Sequence, residues 1–292
     1  MQESLSLWIK GARPRTLPAA IAPVAVGTAC VSVEANATAN WSNAILALIV
    51  SLALQVAVNY ANDYSDGVRG TDDKRVGPLR LVGSGAKTAS AVKRAAFLSF
   101  GVAAIFGLIL ALLTSLWLLV VGVLCILAGW FYTGGKKPYG YFGLGEVFVF
   151  VFFGVVATTG TTFVIIEKLT VTSFTASLVV GALACALLAV NNLRDIDGDT
   201  LARKRTLAVR LGDKKARSFF VSLFVLALLA IFVLALSYPL ALLGLIGLSS
   251  AFASIKRVRS GAVGSELISV LSMTGRTQIL TAITLSIGLI LS

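Results

Sequence analysis

Carboxylate and amide side chains are concentrated in two short stretches of a chain that is otherwise apolar. The stretches run from residue 59 to 73 and from residue 191 to 199, and they hold seven of the 13 acidic residues. Their members are Asn59, Asn62, Asp63, Asp66, Asp72 and Asp73 in the first stretch and Asn191, Asn192, Asp195, Asp197 and Asp199 in the second. Clustered carboxylates beside apolar segments are costly to desolvate and suit divalent cations that prefer oxygen ligands. We therefore predict a metal-dependent site built from both stretches.

The spacing within the first stretch places its polar residues on one face of a helix. Asn59, Asp63 and Asp66 follow an i, i+4, i+7 pattern, and residues three or four apart are neighbours on a helix surface. The glycines that follow let the chain turn, so that Asp72 returns to the same site. The alternative is that Asp73, and not Asp72, is the third acidic residue of the site after Asp63 and Asp66.

The second stretch repeats the same geometry. Asn191, Asp195 and Asp199 are four residues apart, whereas Asp197 points to another face. Two such helix ends could clamp a pair of Mg²⁺ ions, each bound by one or two carboxylates, water and phosphate oxygens of a ligand. The competing interpretation is that these residues are only helix-end charges solvated at a membrane surface.

The elements that must position these residues are membrane-spanning helices. Of the 292 residues, 57% are hydrophobic and only 13% are charged, against about a quarter charged in soluble domains. Runs of roughly 20 apolar residues are long enough to cross a bilayer. We predict an all-α polytopic membrane protein with nine such segments, at 17–34, 43–62, 95–114, 116–133, 145–166, 174–193, 217–236, 239–255 and 277–291.

The distribution of basic residues predicts the orientation. With nine spans, 24 of the 25 lysines and arginines lie on one side and only Lys168 lies on the other. The positive-inside rule makes that side cytoplasmic, which puts the N-terminus inside and the C-terminus outside. The acidic stretches lie on the same side, and this combination suits a diphosphate bound through metal ions. The alternative is that the charge serves only topology and attraction to anionic lipid.

The two acidic stretches end even-numbered spans that are four spans apart. We therefore predict one domain of two quasi-equivalent halves, about 17–133 and 145–291, around a central cavity. Histidine is absent from the sequence, so a histidine base or ligand is excluded. The phenylalanines at 148, 150, 152 and 153 are predicted either to line an isoprenoid path or simply to pack in the helical bundle.

The motifs resemble the UbiA superfamily of intramembrane aromatic prenyltransferases over nearly the whole chain. The resemblance rests on Asn62-Asp63-x-x-Asp66 with Asp72, on Asp195-x-x-x-Asp199, and on the segment from Tyr132 to Lys136. Finer matches at residues 12–18, 59–66, 77–80 and 206–212 resemble the MenA branch, which prenylates 1,4-dihydroxy-2-naphthoate in menaquinone synthesis.

The resemblance implies a role for each candidate residue. Metal binding is implied for Asp63, Asp66 and Asp72 at one Mg²⁺ ion and for Asp195 and Asp199 at a second, with Mn²⁺ as an alternative metal. Substrate binding is implied for Asn59, Asn62, Asn191, Arg69, Arg80, Lys136 and Lys204, which would contact or neutralise the diphosphate. Tyr132 would stabilise an allylic cation or bind the diphosphate. Arg13, Arg15 and Lys137 are candidates for binding the acceptor carboxylate.

The implied reaction transfers a polyprenyl group from its diphosphate to 1,4-dihydroxy-2-naphthoate in the cell membrane. Carbon dioxide and diphosphate leave, and demethylmenaquinone forms. One alternative is a different acceptor, such as 4-hydroxybenzoate. An alternative from another class is a cation-dependent membrane carrier, although carriers hold their acidic residues near the membrane midplane and not at helix ends.

Overall fold

The computed structural model describes residues 2–35, 37–70 and 79–292, with side chains from residue 5 onward. Within these ranges, helices are the only regular secondary structure, so the predicted all-α class is confirmed. The α-helices are α1 (Gln2–Ala12), α2 (Pro18–Ala29), α3 (Ser42–Val68), α4 (Ala89–Leu113), α5 (Trp117–Phe131), α6 (Gly145–Val149), α7 (Ala157–Ile166), α8 (Val171–Arg194), α9 (Ile196–Leu201), α10 (Leu207–Ala235), α11 (Gly244–Ser249), α12 (Ala251–Arg259) and α13 (Glu266–Ile290). Tighter 3₁₀ turns occur at Pro14–Thr16, Cys30–Val33, Tyr139–Phe142 and Pro239–Leu243, and a π-helical segment at Phe150–Val156 joins α6 to α7.

Several of these helices are long and apolar enough to cross a membrane. Five qualify alone: Ser42–Val68, Ala89–Leu113, Gly145–Ile166, Val171–Arg194 and Leu207–Ala235. Two helix pairs, bent by 53° and 47°, raise the number to seven if each pair forms one span. The protein is therefore a multi-pass membrane protein.

The predicted number of nine spans stays a prediction. Each predicted segment overlaps a helix, but α5 has only 15 residues and α13 is not among the qualifying helices of the described chain. Two boundaries also differ. Helix α3 continues to Val68, beyond the end of the predicted apolar span at 62, and the predicted helical placement of Asp63 and Asp66 is confirmed. Helix α13 begins at Glu266, so Arg276 lies on a helix and not in the predicted link.

Helix α8 is the central helix of the bundle. In its most apolar stretch 78% of the residues are buried, against 28–39% in the other four single spans. Small buried residues, including Ala176, Ala182 and Ala186, allow neighbouring helices to approach it closely. The polar residues that end α8 are consequently held at the middle of the protein.

Close approach to α8 also shapes the neighbouring π-helical segment. A Cβ atom added at Gly154 would lie 2.5 Å from the Cα atom of Gly181, so a side chain at this crossing would force the helices apart. The crossing fixes the π-helical segment against α8. Phe152 and Phe153 of this segment line the cavity described below, whereas Phe150 packs against the hydrophobic core.

Candidate active site

A cavity of about 780 Å³ lies within the helical bundle and is polar at one end. The polar end is lined by Lys10, Arg13, Arg15, Asn59, Arg80, Asn191 and Arg194. The remainder is largely apolar, with side chains such as Leu110, Val121, Phe152 and Val156. Among the described residues that line it, none is acidic. The cavity therefore suits a ligand with an anionic head and a hydrocarbon body.

Asp63 holds the loop that carries one of these basic residues. Its carboxylate is fully buried, and its two oxygens accept hydrogen bonds from the backbone N–H groups of Leu81 (2.8 Å) and Val82 (3.0 Å). These bonds fasten the segment after Arg80 to the end of α3. Because Arg80 lines the cavity, Asp63 positions a cationic side chain in addition to its predicted metal role.

Asn59 fastens the segment between α1 and α2 over the polar end of the cavity. Its side-chain amide donates to the carbonyl oxygen of Ala12 (2.8 Å) and to Oγ1 of Thr16 (3.0 Å). The backbone oxygen of Asn59 accepts a hydrogen bond from Nη2 of Arg13 at 3.3 Å. Arg13 has a φ of 53°, an uncommon left-handed conformation for a residue with a side chain. The structure thus uses Asn59 to set the position of Arg13.

Asp66 joins the first acidic stretch to the loop that follows the second. Its Oδ1 atom accepts hydrogen bonds from Nζ of Lys204 at 3.0 Å and from the hydroxyl of Tyr141 at 2.8 Å. The ammonium group also lies 4.8 Å from the centre of the Tyr141 ring. Lys204 and Asp66 have side chains that are 11% and 6% exposed, so this ion pair is largely desolvated.

Asp195 is paired with the residue that precedes it. The Nε and Nη2 atoms of Arg194 each lie 2.7 Å from one oxygen of Asp195, and Nη2 also donates to Oδ1 of Asn191 at 2.8 Å. Asp199 follows one turn later on α9, where its Oδ2 atom lies 3.5 Å from Oγ1 of Thr206. Asp197, by contrast, is exposed.

The remaining predicted residues differ in how close they lie to the cavity. Asn62 accepts a hydrogen bond from Thr133 at 2.7 Å. Arg69 donates to the backbone oxygens of Thr133 and Gly135, and so braces α3 against the turn after α5. Lys136 is exposed and does not line the cavity. Lys137 is likewise exposed and outside the cavity lining, whereas Asp72 and Asp73 fall outside the described residues.

A row of aromatic rings lines one wall of the cavity. Tyr132, Tyr139, Phe148 and Phe152 follow one another with successive ring-centre distances of 5.5, 3.9 and 5.9 Å. Burial raises the pKa of the Tyr139 phenol above its ordinary value, and its hydroxyl donates to the backbone oxygen of Ala128 at 2.7 Å. Tyr139 therefore stays neutral, and its ring stacks on that of Phe148.

Several residues that line the cavity are not among the predicted site residues, and Tyr139 and Arg194 matter most for the chemistry. Tyr139 lies in a turn, where nothing in the spacing relates it to Tyr132 seven residues earlier. Arg194 was counted only as a topology-determining charge, although it directly precedes Asp195 and ends α8. The available signal was its position beside a candidate metal ligand at a helix end.

The donor set fits a hard divalent cation. Asp63 and Asp66 end α3, and Asp195 and Asp199 flank the start of α9, so each stretch offers two described carboxylates. Among residues 2–35, 37–70 and 79–292, no group of three histidine, cysteine, aspartate or glutamate side chains is placed to hold a metal. Mg²⁺ commonly uses only one or two carboxylates together with water and substrate phosphates. Two carboxylates per stretch therefore match this requirement.

A membrane-embedded helical bundle with an amphipathic cavity and acidic helix ends defines a class of intramembrane enzymes that act on lipid-tailed anions. The chain belongs to the UbiA prenyltransferase family, whose family model matches residues 20–266.

Several proteins are similar to this chain over nearly its full length. The 1,4-dihydroxy-2-naphthoate octaprenyltransferase of Mycobacterium tuberculosis is 49% identical over 96% of this chain and 95% of its own. The Escherichia coli enzyme of the same name is 35% identical over 98% of this chain and 95% of its own. A UbiA homologue from Archaeoglobus fulgidus, solved with GPP and Mg²⁺, has a TM-score of 0.70 at 13% identity and covers 98% of this chain and 99% of its own. This last likeness confirms the fold.

Proposed function

We propose that this prenyltransferase transfers a polyprenyl group from a polyprenyl diphosphate to 1,4-dihydroxy-2-naphthoate, releasing carbon dioxide and diphosphate to give demethylmenaquinol, the reduced form of demethylmenaquinone. The observation that carries the proposal is the 49% identity, over 96% of the chain, to a relative named for this naphthoate activity. The cavity agrees with it, because one end is basic and the rest is apolar. A donor with a charged head and an isoprenoid tail needs both environments.

Two metal ions are part of the proposal. Asp63 and Asp66, with Asp72, would hold one Mg²⁺, and Asp195 and Asp199 would hold the other, with Mn²⁺ as an alternative. Bound there, the metal would act as a Lewis acid that stabilises the negative charge of the departing diphosphate. Lys204 is already held in place by its ion pair with Asp66. It would therefore supply a preorganised positive charge beside the departing diphosphate.

The chain's own residues account for the other demands of the reaction. Cleavage of the donor's carbon–oxygen bond leaves an allylic cation, which must be kept from water. The aromatic wall from Tyr132 to Phe152 would exclude water and offer polarisable rings beside such a cation. The acceptor ring then attacks the cation, and loss of carbon dioxide and a proton restores aromaticity. Asn59 holds Arg13 at the polar end, where Arg13 is a candidate to bind the acceptor carboxylate.

We also propose that the polar end of the cavity faces the cytoplasm. The support is the charge asymmetry: under the nine-span topology the basic residues lie on that side, except Lys168 on the opposite side and Arg276 within α13. The N-terminus would then be cytoplasmic and the C-terminus outside the cell membrane, with the quasi-equivalent halves at about 17–133 and 145–291. The anionic donor and acceptor would enter from the cytoplasmic side.

A direct assay tests the function. Purified protein is incubated with a radiolabelled polyprenyl diphosphate and Mg²⁺, with 1,4-dihydroxy-2-naphthoate in one tube and 4-hydroxybenzoate in another. We expect a Mg²⁺-dependent prenylated product with the naphthoate only. Product with the benzoate only would mean that the acceptor is 4-hydroxybenzoate, while the prenyl-transfer reaction stays as proposed. Movement of substrate across vesicles without release of diphosphate would favour a carrier and contradict the proposal.

The apolar part of the cavity should limit the size of the donor tail. Gly160 of α7 lines the cavity, and an added Cβ atom there would meet no atom within 4 Å. We expect Gly160→Leu to lower kcat/KM for a long polyprenyl diphosphate by roughly tenfold or more, because the leucine occupies space that the tail needs. Geranyl diphosphate should be affected much less.

A matched control is available on α4. Gly101 also has no atom within 4 Å of an added Cβ atom, but it does not line the cavity. Gly101→Leu should leave the preference for donor length unchanged. An equal loss with long and short donors in Gly160→Leu would show that the tail does not pass this position.

A further inference from the structure

Arg194 has an unusual set of contacts at the end of α8. Its side chain is 1% exposed, and it lines the polar end of the cavity. Nε and Nη2 are committed to Asp195, and Nη2 also donates to Asn191. Nη1 is buried and has no hydrogen-bond partner among the described residues, 2–35, 37–70 and 79–292. The guanidinium is thus fixed on one edge and has one donor nitrogen unused.

Arg217 shows what the same arrangement looks like when it is only structural. Its Nε and Nη2 atoms are 2.8 and 2.7 Å from the carboxylate oxygens of Asp213, in the same two-pronged geometry. Its Nη1 atom, however, donates to the backbone oxygen of Val258 at 2.7 Å. Every nitrogen of Arg217 therefore has a protein partner, and it does not line the cavity. The unused nitrogen of Arg194 is the difference between the two pairs.

A buried charged donor without a partner is unfavourable and is rarely kept in a structure without a reason. The surroundings of Arg194 supply one, because it shares the cavity lining with Arg13, Arg15 and Arg80. Cationic side chains around one end of a cavity concentrate anions there. A guanidinium held rigidly by a carboxylate presents its remaining N–H groups in a fixed direction, which suits an oxygen of a phosphate or carboxylate.

We propose that Arg194 is a substrate-binding residue, whose Nη1 donates to an anionic oxygen of the ligand while Nε and Nη2 hold Asp195. The proposal rests on the proposed function only for the identity of the ligand. A diphosphate of the donor and a carboxylate of the acceptor offer the same chemistry, namely a charged oxygen acceptor. Binding measurements with each anion distinguish the two sources.

The test measures equilibrium binding to the purified full-length protein by titration calorimetry. The probes are inorganic pyrophosphate with Mg²⁺ and, separately, 1,4-dihydroxy-2-naphthoate. Arg194→Lys keeps a positive charge beside Asp195. Its single side-chain nitrogen, however, cannot pair with Asp195 in the two-pronged geometry and also donate to a ligand in the direction of Nη1. We expect it to weaken binding of one of the two anions by roughly 10- to 100-fold, the loss of one charge-assisted hydrogen bond. Arg194→Gln should weaken the same anion at least as much.

Three controls make the result decisive. Arg217→Lys should leave both affinities unchanged, because the same kind of pair is altered away from the cavity. Raising the Mg²⁺ concentration should not restore pyrophosphate binding to Arg194→Lys. If Arg194 acted only by positioning Asp195 as a metal ligand, more Mg²⁺ would restore that binding. Wild-type affinity of Arg194→Lys for both anions would overturn the proposal. Because binding is measured without turnover, the effect of Arg194→Lys on anion affinity can be interpreted even if the naphthoate assay gives no product.

Discussion

Asp195→Asn should reduce prenyl transfer by about a thousandfold or more while the protein still inserts into the membrane and folds. The substitution removes a negative charge from a proposed metal ligand, and metal-held charge stabilisation is worth several kcal/mol, with about 1.4 kcal/mol for each factor of ten. It also replaces one oxygen of the Arg194 pair with an amide nitrogen, which cannot accept a hydrogen bond from the guanidinium. The second effect reaches the cavity directly, because Arg194 lines its polar end.

Product formation by purified protein measures this effect, with Asp197→Asn as the matched control. Asp197 lies two residues away and is exposed. Its substitution changes the net charge of the protein by the same amount and should leave the rate within a small factor of wild type. Equal rates for Asp195→Asn and wild type would contradict a metal role for this carboxylate.

Lys204→Met is expected to lose most of the transfer activity and to destabilise the protein. The ammonium group is 3.0 Å from Asp66 in a largely desolvated pair, and removing one partner of such a pair destabilises the fold by about 3 kcal/mol or more. Tyr141 continues to donate to Asp66, so the carboxylate keeps part of its stabilisation. The catalytic loss should be larger than the loss of stability, because the charge proposed to face the leaving diphosphate is gone.

A thermal unfolding midpoint in detergent and a rate measurement separate the two effects. Lys214→Met is the control, since it removes the same charge from an exposed residue near the start of α10. A double-mutant cycle with Asp66→Asn adds a sharper criterion. Because the two side chains are in contact, their effects should be non-additive. Additive effects would mean that the pair does not act as a unit.

The spacing of the first acidic stretch was enough to predict its local geometry, whereas in the second stretch α8 ends at Arg194 and Asp199 lies on the separate helix α9. Asn59, Asp63 and Asp66 lie on one helix, because the four-residue period holds wherever the helix continues. The apolar run ends at 62, but the helix continues to Val68, as the spacing of the acidic residues predicts. Polar residues end an apolar run, but they do not end a helix whose side chains find partners elsewhere in the fold.

Those partners were beyond the reach of sequence reasoning. The hydrogen bonds that Asp63 accepts from the backbone N–H groups of Leu81 and Val82 depend on how a loop packs. The periodicity of the sequence carries no information about that packing. Lys136 was predicted to act on the leaving group from its place in a motif, yet it is exposed on a turn outside the cavity lining. Its predicted role remains untested. The number of spans was equally hard to infer, because a bent helix pair and a single straight helix have similar composition.

The contact between Asp66 and Lys204 also has a consequence for how the protein is made. The two residues are 138 positions apart in the chain. Helix α3 must therefore leave the ribosome and enter the bilayer long before the lysine that neutralises its acidic end has been synthesised. The polar end of α3 must stay at the aqueous surface during that interval, and Asp66 helps to keep it there because charged groups resist insertion. A residue proposed for catalysis thus also helps to set the depth of a helix during biogenesis.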